Sequence, residues 1–240
     1  ELRAGMPAQA AISEGYERAF GTILDSNITT LIAGLALLIF GQGFAPLQLV
    51  GFVILLAGIL IAARGELFTV PAKDGEIRNI SRTQAAREIS ASFSPDGKQV
   101  VYLSDASGEY EIYLKNSDGS GEPRRLTTDG DIWRFQPLWS PDGKRLAYGD
   151  KKNRLRVVEV ASGKTTDVDT ATVGNEITTY VWSPDGQHLV WVKTDVAGLQ
   201  RLWHWQVGNG AQQLTFGDFD AQNPAFDPQG RYLYFLSNRD

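Results

Sequence analysis

The sequence offers little from which a catalytic centre could be assembled. A hydrolytic triad needs a nucleophile, a base and a group that orients the base. The chain has two histidines, His188 and His204. Both sit in alternating apolar and polar segments, so both are expected in strands. Neither adjoins a Gly-x-Ser-x-Gly elbow, and both are read as structural or solvated. There is no cysteine, which excludes thiolate chemistry and disulfides without fixing the side of a membrane. Asp218 and Asp220 lack the ligand pattern of a calcium loop and read as solvated acids. No catalytic, metal-ligating or cofactor-binding residue is expected, and no cofactor is implied.

Two other sets of residues invite a functional reading. Arg87, Asp131, Trp133 and Arg134 lie in loops that precede strands. Cationic and aromatic groups there suit an extended peptide or its carboxylate. Asp25, Asn27, Thr29 and Thr30 form a polar cluster within an apolar region, and intramembrane polar groups are functional candidates by default. Asp25 has a plainer reading as a helix cap or an interfacial group.

The elements that hold these residues differ sharply. Residues 28–63 carry no Asp, Glu, Lys or Arg, whereas the chain after Gly65 is mixed, turn-rich and aromatic-rich. The net charge of −5 is scattered, and no basic stripe marks a nucleic-acid surface. The run from Ile28 to Phe40 is 13 residues long, too short to span hydrocarbon alone. Extended back to Ala19 it is long enough and brings Asp25 and Asn27 to the lipid boundary. A second run, Ala45 to Ala63, is long enough by itself, and Gly41-Gln42-Gly43 makes the turn between them. Residues 1–65 are therefore expected to form an α-helical transmembrane hairpin, with lipid contacts over 19–63. Arg3 and Arg18 before it and Arg64 and Lys73 after it place both ends in the cytoplasm.

Within residues 1–43, EGYERAFGTILDSNITTLIA followed by FGQG resembles a late transmembrane region of the protein-translocase subunit SecD. That resemblance implies a proton-driven accessory of the Sec translocon in a bacterial or archaeal inner membrane. The likeness fades after Gly43, at FAPLQLVGFVILL.

Residues 66–240 carry a repeat. Ser94-Pro-Asp-Gly-Lys, Ser140-Pro-Asp-Gly-Lys, Ser183-Pro-Asp-Gly-Gln and the degenerate Asp227-Pro-Gln-Gly-Arg are spaced by 46, 43 and 44 residues. A period of this length filled with short strands predicts a β-propeller. Each turn should join an inner strand to the second strand of its blade. Phe93, Trp139, Trp182 and Phe226 before the turns should pack between blades. Glu66–Ala72 reads as a third strand and Glu76–Ser81 as an outer one. Their two inner partners should then lie before residue 66, where the membrane-type run sits. The fold class is mainly β: a partial propeller of four-stranded blades, three full and two half, behind a helical hairpin. The two half blades could pair as a split fourth blade and close a ring, or the blades belong to a larger ring of about six or seven.

ELFTVPAKDGEIRNISRT, YLSDASGEYEIYLKNSDGSGEPRRLTTDGD and RYLYFLSNRD resemble the propeller region of tricorn-type proteases. TolB and prolyl-oligopeptidase-type propellers share the repeat more loosely. The resemblance implies a gate or channel for peptides, with hydrolysis carried by a separate PDZ and serine-protease region. Three functions stand open: a peptide-handling propeller tethered to a membrane, a Sec-type export protein carrying a propeller and partnering Sec components, and an adaptor or scaffold. Two resemblances meeting near residues 44–65 also fit a gene fusion or two joined coding pieces.

Overall fold

The repeated turn is built from its own residues. In Ser94-Pro95-Asp96-Gly97, the Ser94 hydroxyl donates to Asp96 Oδ1 at 2.6 Å, and the same oxygen accepts the Lys98 N–H at 3.1 Å. Ser94 Oγ accepts the Gln99 N–H at 3.0 Å, which starts the next strand. Gly97 closes the turn at φ 72°, and Gly143, Gly186 and Gly230 adopt the same left-handed conformation in the sister turns. The serine hydrogen bond holds the carboxyls of Asp96 and Asp185 below the usual carboxylate range. Where Asp227 replaces serine, its carboxylate takes over, accepting the Tyr232 N–H at 2.7 Å.

This computed structural model describes residues 59–63, 65–70, 76–83, 85–173 and 176–239. They fall almost wholly in one compact unit, Leu60–Thr69 with Ile77–Asp240. Among the described residues all regular structure is strand, and no helix is long and apolar enough to cross a membrane.

Three sheets have four antiparallel strands in simple up-and-down order. Blade 2 comprises β4 (Glu88–Phe93), β5 (Gln99–Ser104), β6 (Glu111–Asn116) and β7 (Arg124–Arg125). Blade 3 comprises β8 (Leu138–Trp139), β9 (Arg145–Gly149), β10 (Arg154–Glu159) and β11 (Thr165–Thr170). Blade 4 comprises β12 (Tyr180–Trp182), β13 (His188–Thr194), β14 (Gln200–Gln206) and β15 (Ala211–Gln213). Blade 1 has β1 (Ile59–Ala63), β2 (Glu66–Val70) and β3 (Arg78–Asn79), and blade 5 has β16 (Ala221–Phe226) and β17 (Leu233–Ser237).

β1 corrects the expected hairpin. Ile59–Ala63, the end of the run assigned to a membrane helix, is a strand hydrogen-bonded to β2. Its backbone groups are satisfied by a neighbouring strand instead of within a helix. Blade 1 therefore holds three strands where two were expected. The rest of the expected hairpin, including its Sec-like stretch, lies outside the described residues.

Successive blades pack face to face. Leu67 and Ile80 meet Val100 and Tyr102; Leu103 and Leu114 meet Trp139 and Leu146. Val157 and Ile177 meet Trp182 and Trp191, and Val190 and Leu202 meet Ala221. The aromatics before the turns pack in these interfaces, as the sequence predicts. Trp139 Nε1 donates to the Ser92 carbonyl at 3.4 Å and Trp182 Nε1 to the Leu138 carbonyl at 3.3 Å. The first strands of neighbouring blades are thus tied together, which makes them the inner strands. A buried hydroxyl fastens the outer strand at the other side of three blades. Ser81, Thr127 and Thr215 accept the N–H of Leu67, Ile112 and Leu202 at 2.9, 2.9 and 3.0 Å.

Candidate functional site

The loops that enter the inner strands and those that join the second and third strands gather at one end of the blades. Pairings across them show this. The Arg87 N–H donates to Asp105 Oδ1 at 2.7 Å, the Lys151 N–H donates to the Trp133 carbonyl at 3.0 Å, and the Gln200 N–H donates to Asp220 Oδ1 at 2.8 Å. The opposite end carries the Ser-Pro-Asp-Gly turns.

Three of the residues singled out in the loops are exposed here. Trp133 is 42% exposed and meets the half-buried Tyr110 edge-on, with ring centroids 4.9 Å apart. The pair bridges blades 2 and 3, because Tyr110 precedes β6 while Trp133 leads into β8. Asp131 is exposed and ion-paired with Lys152 and with Arg154, the latter at 3.6 Å. Arg87 is exposed and follows the loop from β3.

Arg134 is different: the structure places it inside, 2% exposed. Its guanidinium contacts Glu111 Oε2 at 3.0 Å, donates to Asp129 Oδ1 at 2.8 Å and to Thr127 Oγ1 at 2.6 Å, and lies 5.4 Å from the Tyr148 ring centroid. Arg156 completes the network, contacting Asp129 Oδ2 at 2.5 Å and Asp167 Oδ1 at 2.6 Å. Burial opposes the charge on Asp129, but the hydrogen bonds from Arg156 and Arg134 prevail and hold its carboxyl down at about 2. Arg134 therefore does not present its charge to a ligand. It pins the loop that displays Trp133.

Six residues ahead of the turn serine or its aspartate counterpart, Glu88 and Ala221 open their inner strands and Arg134 and Ile177 precede theirs, all buried. Glu88 occupies in blade 2 the place of Arg134 in blade 3. Its Oε1 accepts from Thr83 at 2.5 Å and Ser104 at 3.4 Å, while Oε2 is buried with no hydrogen-bond partner. Burial raises the carboxyl above 4.5 against the pull of the Thr83, Ser81 and Ser104 hydrogen bonds, and nearby Glu66 adds to the rise. A raised folded-state value gives stability that is whole below 4.5 and is lost as pH climbs through the folded value. Glu88→Gln, neutral throughout, should accordingly be the more stable protein at pH ~7, the gap closing as the pH falls through the raised value and gone by 4.5. Urea midpoints measured across that range check this, and a gap that widens toward acid would contradict it.

A second repeat escaped the sequence reading. Asp105, Asp150, Asp195 and Asn238 close the second strands at spacings of 45, 45 and 43 residues. Asp150 Oδ1 accepts the Lys152 and Arg154 N–H groups at 2.9 and 3.2 Å, and Asp195 Oδ1 accepts those of Ala197 and Leu199 at 2.9 and 3.0 Å. The spacing was the available signal. Asp220, read as solvated, exchanges hydrogen bonds with Asn238 and so ties blade 5 together. Asp25, Asn27, Thr29 and Thr30 lie outside the described residues.

Three comparisons bear on this arrangement. The family of the Tricorn protease second beta propeller domain matches residues 57–240. The chain belongs to that family. The match begins two residues before β1, in accord with the strand that replaces the end of the expected span. Tricorn protease homolog 1 of Streptomyces coelicolor is 30% identical over 194 residues, covering 76% of this chain and 18% of that protein. The crystal structure of the tricorn protease superposes with a TM-score of 0.64 at 17% identity, over 74% of this chain and 18% of that one. At that identity the likeness carries the fold alone. Protein translocase subunit SecD of Desulfurispirillum indicum is 52% identical over 61 residues, 25% of this chain and 11% of that protein. The matched part of the chain therefore spans less than a fifth of the length of each of these relatives.

Proposed function

We propose that this chain supplies the non-catalytic, peptide-binding and gating propeller of a tricorn-like serine protease system. The observation that carries the reading is the exposed Trp133 held edge-on to Tyr110 at the loop end. Its loop is clamped from beneath by the Arg134 ion pairs. A rigid aromatic, with Arg87 and Asp131 on loops of the same end, suits an extended chain. The aromatic face takes apolar side chains, and the charges take main-chain termini or polar side chains. Family membership supports a peptidase-associated role.

The test is a titration of fluorescein-labelled unstructured peptides followed by anisotropy. Trp133→Ala should weaken binding by at least about tenfold, as loss of a buried aromatic anchor does. Lys98→Ala, at the turn end, should leave it unchanged. Equal affinity in wild type and Trp133→Ala would remove the loop end as the binding surface.

The same proposal includes a membrane tether, with lipid contacts confined to residues before Ile59 and the propeller on the cytoplasmic face. A second reading, a Sec-type membrane protein carrying this propeller and meeting translocon components, is favoured by the 52% identity to SecD. Mass spectrometry of carbonate-washed native membranes separates both from a soluble propeller. A single peptide containing Phe40 and Leu67 is expected. Peptides that each continue differently on either side would end both membrane readings.

A further inference from the structure

We propose that His188 and His204, assisted by Gln212, form a binding site for one divalent first-row transition metal ion of the zinc and copper type. The two histidines lie on adjacent strands of blade 4. His188 opens β13 directly after the turn, and His204 sits in β14 opposite Val190. His188 Nδ1 and His204 Nε2 are 2.8 Å apart, and the ring centroids are 5.0 Å apart with the ring planes inclined by 24°. Gln212 Nε2 lies 3.2 Å from His204 Nδ1. Both rings are half-buried, so they are neither sealed in the core nor freely solvated.

The repeat shows that packing does not require these residues. In register, His204 stands where blades 2 and 3 carry Leu114 and Val157, each 2% exposed. His188 stands where they carry Gln99 and Arg145. Blade 4 thus replaces a core aliphatic with an imidazole and sets a second imidazole against it.

Tautomers decide what the pair can hold. With the Gln212 amide donating to His204 Nδ1, the ring proton of His204 sits on Nε2 and bridges to His188 Nδ1. If the amide turns its oxygen to Nδ1, that nitrogen carries the proton and the Nε2 lone pair is freed. The two facing nitrogens then both offer lone pairs, and a metal takes the place of the bridging proton with no net proton released. Zinc–nitrogen bonds of about 2.0–2.1 Å set two tetrahedral donors about 3.3 Å apart, so the rings need open by only about 0.5 Å. Imidazole nitrogens select zinc and copper over magnesium or calcium. Water fills the remaining positions.

The test uses the full chain without a tag. Titration with Cu2+ in a non-coordinating buffer should load one ion per chain and give an electron paramagnetic resonance spectrum with coupling to two imidazole nitrogens. Cu2+ should likewise displace Zn2+ loaded first, in keeping with the order of affinities of nitrogen sites. His204→Leu and His188→Gln install the residues that the sister blades carry there. Each should weaken binding by at least about tenfold. Two results would overturn the site: a wild-type spectrum without imidazole nitrogen coupling, or one-to-one binding that persists in both variants. The wild-type spectrum decides even if a variant fails to fold.

Discussion

Arg134→Met should destabilise the propeller by about 3–5 kcal/mol, read as a fall in the urea midpoint. The reason is what stays behind. Glu111 is 4% exposed and Thr127 3%, and Arg134 is the cation in contact with Glu111 among the described residues. Without it the Glu111 carboxylate keeps only the Thr127 hydroxyl and the Gly130 N–H, at 2.6 Å. A buried charge without a counter-charge costs several kcal/mol, whereas a buried pair exchanged for apolar groups costs little. The double variant Arg134→Met, Glu111→Met should therefore recover most of the loss. Additive losses in the double variant would show that the pair is not the unit of stability. The network also fixes an acid dependence. Asp129, held at about 2, contributes stability that is whole above 3.8 and is lost as pH falls toward 2.

A loss of similar size, about 3–5 kcal/mol, is expected for Trp191→Ala. Trp191 is fully buried between blades 3 and 4, among Ala147, Leu155 and Leu189. Its Nε1 donates to Asp169 Oδ2 at 2.9 Å, and that oxygen also contacts Lys193 at 2.6 Å. Truncation opens a cavity between two blades and removes a partner from Asp169 at once. Trp191→Phe keeps most of the ring and loses the donor, so it should cost only about 1–2 kcal/mol. Chemical denaturation of the two variants checks the ranking. If phenylalanine cost as much as alanine, the hydrogen bond and not the packing would be the larger part.

The propeller was legible because its signal is local. Serine, proline, aspartate and glycine specify a turn among themselves, and the recurrence of that turn gave the blades without knowledge of their packing. The aromatics before the turns were legible for the same reason, being one residue from a fixed landmark. Ile59–Ala63 was not, since a short apolar run reads equally as a buried strand or as the end of a membrane span. Only pairing with β2 decides it. Arg134 is buried although its place in a loop suggests exposure. Alignment to the turn puts it in register with Glu88, Ile177 and Ala221, all of them buried. The contact between His188 and His204 depends on a diagonal across two strands, 16 residues apart in sequence, and no spacing rule points to it.

Peptide binding is proposed for the loop end of the propeller. Hydrogen exchange of the full chain, with and without a saturating unstructured peptide, tests it most directly. Slowed exchange is expected in 105–110, 129–135 and 150–153, with the turns at 94–98, 140–144 and 183–187 unaffected. Protection at the turns, or none at either end, would contradict it.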